Sequence, residues 1–141
     1  MHTPSPAEEP AAFDPAAIEG HVRNLGMAAV LRVSDLFVEV VSTASGIAGR
    51  EPADWPAIAD SAHKIVASAG YFGFTGLSMQ ARALCTARHD HARMAELRPA
   101  YRQALAQALA TVEQVRHCLN APGCGCATCR AFPSIAGACA P

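Results

Sequence analysis

Two groups of residues in this chain could do chemistry. One is His63, in the run Ser61-Ala-His-Lys-Ile-Val-Ala-Ser-Ala-Gly70. An imidazole can act as a nucleophile or a proton carrier near neutral pH. The other is Cys124-x-Cys126-x-x-Cys129, with His117 and Cys118 just upstream. Soft thiolates at this spacing could chelate zinc or copper(I), and the intervening glycines would let the backbone fold round an ion. No second CxxC pair accompanies them, so a reduced tail without metal fits the same residues. His89-Asp90-His91 could also chelate, although two imidazoles in a polar connection are more often solvated surface.

The surroundings of His63 give it more interest than a lone histidine. At about 100° per residue, a helix over 55–72 gathers Ile58, Ala62, Ile65, Ala69 and Phe72 into one apolar sector, with His63 well outside it. On the outer face its neighbours are Ala59, Val66, Ala67 and Gly70, with Asp60 to one side. An ordinary solvated face would carry Glu, Lys, Gln or Arg there. A bare collar lets a second protein bring an electrophile within roughly 3 Å of the ring. A surface histidine in an alanine-rich chain produces the same pattern, so geometry alone leaves both readings open. Asp60, one turn before His63, would favour the imidazolium and could orient the ring. An exposed imidazole of ordinary pKa near ~6.5 is mostly neutral in cytoplasm, which is the nucleophilic form.

The elements that must hold this site are helical. The chain has 141 residues, 51% hydrophobic and 16% charged, which suits one soluble domain with a single core. A formal charge of −1 offers no general attraction for nucleic acid or anionic lipid. The opening residues lack a basic stretch followed by an apolar one, so a cytoplasmic protein is expected. The most apolar segment, around 26–49, is interrupted by Arg32, Asp35 and Glu39 and reads as a bundle helix rather than a membrane span. Five of six cysteines follow residue 117, leaving Cys85 as a small core residue and excluding a disulfide framework for the core. Trp55 is expected to pack where its helix begins.

Residues 1–12 read as a flexible leader, 13–119 as the folded bundle, and 120–141 as a cysteine-rich flexible tail. Asp14-Pro15 opens a short first helix that ends near Gly26. A second covers about 27–48 and stops at Gly49 and the Arg50-Glu51-Pro52 cluster. Asp54 caps a third, which accepts Pro56 in its first turn and runs into Gly70 and Gly73. A fourth starts near Thr75 or Gly76 with Leu77, Ala81 and Leu84 on one face, and His89-Asp90-His91 looks like the connection after it. In the last, Tyr101, Leu105, Ala108, Val112, Val115 and Leu119 alternate in steps of four and three. The expected fold is all-α, an antiparallel four-helix bundle with a short additional N-terminal helix.

The segment Ala62-His-Lys-Ile-Val-Ala-Ser-Ala-Gly-Tyr-Phe-Gly-Phe-Thr-Gly-Leu77, continuing through Ala81, resembles the signature of histidine phosphotransfer (HPt) domains. The matching residues are Ala62, His63, Ser68, Ala69, Gly70, Phe72, Gly73, Leu77 and Ala81. Phe13, Ile18, Leu25-Gly26, Leu36-Phe37 and Ile58-Ala59 fall at similar spacings upstream, so the likeness covers about residues 13–119. The resemblance implies a bundle whose His63 takes a phosphoryl group from a receiver-domain aspartate and passes it to another, with Ala59, Asp60, Lys64, Val66, Ala67 and Gly70 meeting the partner. It implies a carrier without turnover of its own and without a cofactor, magnesium being held by the receiver. The implied setting is a bacterial multistep phosphorelay, in which a single chain works between a hybrid sensor kinase's receiver and a response regulator. Two departures stand out. The family usually carries lysine three residues after the histidine and glycine four after, where this chain has Val66 and Ala67. Lys64 lies about 100° round the helix and points elsewhere unless its stem bends back, and Arg82 on the following helix is one candidate substitute. The acid usual near the end of that next helix is also missing from Ala83-Leu84-Cys85-Thr86. Two other functions suit the sequence: a bundle that binds a receiver or kinase without accepting phosphate, and a metal- or redox-responsive module built on the tail.

Overall fold

A computed structural model describes residues 13–120, which form five α-helices with no strand among them. They are α1 Pro15–Leu25, α2 Met27–Ala48, α3 Trp55–Tyr71, α4 Thr75–Thr86 and α5 His91–Asn120. Local chemistry sets most of these limits. The Asp14 and Asp54 carboxylates each accept a backbone N–H of the first turn, from Ala16 and Ala57 at 3.1 Å, and each is followed by a proline in the first two helical positions. Such caps occupy amides that a helix start leaves unpaired.

α2 packs on α3, α3 on α4, α4 on α5 and α5 back on α2, while α1 lies on α2. α2 and α5 run in opposite directions, since Asp35 pairs with Arg116 whereas Arg98 reaches the Ala48 carbonyl. The enclosed core includes Phe37, Val41, Ile58, Ile65, Leu84, Leu105 and Val112, all 2% exposed or less. Each such side chain contributes about 1.5–3 kcal/mol by leaving water. All five apolar positions of the expected α3 sector are buried. Among the described residues no helix is long and apolar enough to cross a membrane.

One end of the bundle is closed by aromatic rings and by α1. Phe37 stacks on Phe74 at 5.3 Å and meets Phe72 at 4.8 Å, and Phe13 covers Phe74 at 4.7 Å. The turn from α3 to α4 passes through Gly73 at φ +82°, and its carbonyl accepts the Asp14 N–H at 2.7 Å. His21 stacks on Tyr71 at 3.8 Å, and its Nε2–H donates to the Tyr71 carbonyl at 2.8 Å.

The last helix departs from the sequence expectation. His91 is its first residue rather than part of the connection, because the Asp90 carboxylate caps it through the Arg93 N–H at 3.1 Å. It then continues through Pro99. Proline normally ends a helix by removing one hydrogen bond. Here both Pro99 and Ala95, whose carbonyl loses that bond, face water. Arg98 beside it holds the end of α2, donating to the carbonyls of Ala48 (2.7 Å) and Arg50 (2.8 Å) and pairing with Glu51 at 3.0 Å.

Tyr101, in the core, has no hydrogen-bond partner for its hydroxyl among the described residues. Burial pushes the phenol up to about 12, with the nearby Ser61 hydroxyl opposing the shift. The folded chain therefore holds this proton more tightly than the unfolded chain. The associated stability is intact below pH ~10 and is lost as the pH rises towards 12. Tyr101→Phe is expected to cost under about 1 kcal/mol at neutral pH, since no hydrogen bond is lost, and to flatten the alkaline decline. Urea unfolding at pH 7 and pH ~11 measures both. A decline as steep as that of the native chain would assign it to another group.

Candidate functional site

His63 stands on the solvent side of α3, between the edges that face α2 and α4, and its ring is exposed. Among the described residues nothing hydrogen-bonds or ion-pairs with it. Ala67 and Gly70, one and two turns on, are exposed and bare. A Cβ placed on Gly70 would meet only Ser78 Oγ at 3.8 Å. Packing within the chain therefore does not require that surface to be so flat.

Ala59 is not part of this surface, and Val66 is only partly on it. Ala59 is 1% exposed, and its carbonyl lies 3.7 Å from the Cys85 thiol, which donates to it. Val66 is half-buried against the core, and its carbonyl accepts the Ser78 hydroxyl at 3.0 Å. The cause is α4, which packs on that flank of α3. The exposed collar is Asp60, Lys64, Ala67 and Gly70, with Val66 partly accessible at its edge.

Neither charged member of the collar hydrogen-bonds the ring. Asp60 pairs with Arg88 NH2 at 2.9 Å, so the turn after α4 engages this carboxylate and the imidazole does not. Lys64 borders a groove of about 490 Å³ between α2 and α3, with Leu36, Val40, Ile47 and Ala57 among its walls. A second groove of about 310 Å³ continues it, sharing Leu36 and Val40 and reaching Val33, Tyr71 and Phe72. Leu36 is 61% exposed. The spacing Val33, Leu36, Val40, Ile47 carries this second apolar stripe in the sequence beside the core stripe of α2.

Arg82 is exposed on α4 and flanks a groove of about 690 Å³ with Met79, Ala83, Arg93 and Leu97. Cys85 is half-buried, and burial pushes its thiol up, Arg88 opposing and Asp60 adding to the shift. A protonated thiol is a poor nucleophile and a poor metal ligand.

The other chemical candidates are separated in space. Asp90 caps α5, His89 is exposed, and His91 lies over Trp55 with ring centres 5.9 Å apart. Trp55 sits at the start of α3, with the Arg98 guanidinium 5.8 Å from its ring. Among the described residues no three His, Cys, Asp or Glu side chains cluster as a metal site. His117 is exposed, but Cys118, grouped with the tail by its sequence position, is 1% exposed inside the bundle. Helical periodicity turns it inward beside Leu119. Cys124, Cys126 and Cys129 lie outside the described residues.

An exposed imidazole without a partner in the described chain, with bare surface on one side and an apolar groove on the other, suits docking to another protein's reactive site. Comparison with known families agrees: the family described as Hpt domain matches residues 18–117, from α1 to the last turns of α5. No curated protein and no solved structure matches the chain.

Proposed function

From the membership of this chain in the Hpt domain family, a family of histidine-containing phosphocarriers in two-component signalling, we propose that His63 is its phospho-acceptor. In this reading the chain is an antiparallel four-helix bundle, α2 to α5, with α1 as an additional helix. It works in the cytoplasm as a single chain between the receiver domain of a hybrid sensor kinase and a response regulator.

Phosphoryl transfer needs an in-line nucleophile and neutralised charge on the transferring oxygens. A ring nitrogen of His63 attacks the phosphorus of the receiver's aspartyl phosphate. The N–P bond forms, the P–O bond to the aspartate breaks, and the carboxylate leaves with the electron pair. The second receiver reverses these steps. The receiver brings its own magnesium and acyl phosphate, so this chain contributes the nucleophile and a surface to dock on. Leu36 and Val40 supply apolar contact beside the ring, and Ala67 and Gly70 let the partner close over it and exclude water.

The observation that carries this reading is the exposed His63 ring, unpartnered within the described chain and bordered by bare surface. Incubation with a phosphorylated receiver domain and magnesium is expected to place acid-labile, alkali-stable phosphate on the chain. Receiver binding without label would instead support the docking-only bundle, which the valine at position 66 favours.

Ala67→Glu places a carboxylate on the flat surface one turn from the ring. It is expected to slow transfer at least ~10-fold by obstructing close approach and repelling the phosphoryl group, with helix content unchanged. Stopped transfer assays with circular dichroism as control decide this, and an unchanged rate would remove the flat surface from the mechanism.

A further inference from the structure

We infer that Arg82 supplies the cation that neutralises the phosphoryl group on His63, a role built on α4 in this chain instead of on α3. The inference rests on His63 being the acceptor.

Two contacts fix how α3 and α4 line up. Ser78 Oγ donates to the Val66 carbonyl at 3.0 Å, and Cys85 Sγ approaches the Ala59 carbonyl at 3.7 Å. Positions 59 and 66 on α3 therefore face 85 and 78 on α4, two helices running in opposite directions. Midway between these contacts, Ala62 and His63 are level with Ala81 and Arg82. Ala62 and Ala81 are both fully buried, which makes them the inner pair of the seam. His63 and Arg82 are each one residue, or about 100°, further round and both exposed, which makes them the outer pair. Packed helix axes lie about 8–10 Å apart, and alanines at 59, 62, 69 and 81 favour the close end of that range. An arginine spans such a seam.

Of the other nearby cations, two are ion-paired and the third lies on the α2 side of α3. Lys64 borders the α2–α3 groove, Arg88 pairs with Asp60, and Arg93 pairs with Glu96 at 3.0 Å. The Arg82 guanidinium has no ion pair or hydrogen bond among the described residues; only the backbone carbonyl of this residue is engaged, accepting the Thr86 hydroxyl at 3.0 Å. The Asp60–Arg88 pair also neutralises the one carboxylate of the collar. A guanidinium beside a phosphoryl group can form two parallel charge-assisted hydrogen bonds.

Hydrogen bonds of this kind correspond to roughly 10–100-fold in rate. Arg82→Gln is expected to lower the transfer rate at saturating phosphorylated receiver by that factor, with unchanged melting temperature and unchanged affinity for the unphosphorylated receiver. Arg82→Lys is expected to keep most of the rate. The decisive variant combines Arg82→Gln with Val66→Lys, which returns a cation from the other side of the seam and is expected to restore transfer. Native-like transfer by Arg82→Gln overturns the inference while leaving His63 as acceptor. So does slow transfer that neither lysine variant recovers in a folded chain. If the native chain takes no label from the receiver, the acceptor reading itself fails and this inference with it.

Discussion

His63→Gln is expected to take no phosphoryl group from a phosphorylated receiver, while melting within about 0.5 kcal/mol of the native chain, as exposed substitutions usually do. Glutamine keeps a polar side chain of similar size but has no nucleophilic nitrogen. The loss should therefore be complete rather than graded, because the barrier to attack by an amide is far higher than any packing effect. Binding to the receiver should survive, since the apolar groove and the flat surface are intact. The label on the native chain should resist alkali and be lost in acid, which separates a phosphoramidate from an acyl phosphate carried over with the receiver. Label persisting on the variant would assign the acceptor to another residue. His21, stacked on Tyr71, and His91, against Trp55, are both engaged within the fold.

The second large effect is on stability. Gly73 lies at φ +82°, and a Cβ there would collide with the Asp14 carbonyl oxygen and press on the Ala17 methyl at 3.1 Å. Gly73→Ala therefore combines backbone strain with overpacking. It is expected to cost about 2–4 kcal/mol, lowering the melting temperature by roughly 10 °C. Relief would require moving α1, which would also break the Asp14–Gly73 hydrogen bond and uncover Phe74. Gly70→Ala is the matched control: it is in α3, without positive φ and with room for a methyl, so it should be neutral or stabilising by up to about 1 kcal/mol. Equal stability of the two variants would show that the turn tolerates a side chain and that α1 is loosely held.

Helix limits were legible wherever a residue carries its own local reason for them. Asp14-Pro15, Asp54 with Pro56, and Gly26 act within a few residues, and the helices begin and end at them. The start of α5 was not legible, because proline at 99 signals a stop when read locally and only solvent exposure makes it tolerable. Met94, seven residues before Tyr101, is the buried position that extends the seam to the helix start. His63 was legible because one helix's own periodicity decides which side faces its core. Its neighbours were less so, since α4, which a wheel drawn for α3 alone does not contain, covers Ala59 and part of Val66. The Asp60–Arg88 pair spans 28 residues and leaves no local sign. The burial of Cys118 was missed for a related reason: nearness along the chain grouped it with the tail, while helical phase puts it in the core.

Pro99 divides α5 into segments that should open independently. The turn around Ala95 lacks a backbone bond on its wet side, whereas Arg98 just beyond ties the chain to the end of α2. Amide deuteration should therefore fall into two regimes along one continuous helix, rapid over 92–96 and slow from Tyr101 onward. The fast segment lies at the end of the molecule remote from α1, so breathing there leaves the aromatic cap undisturbed.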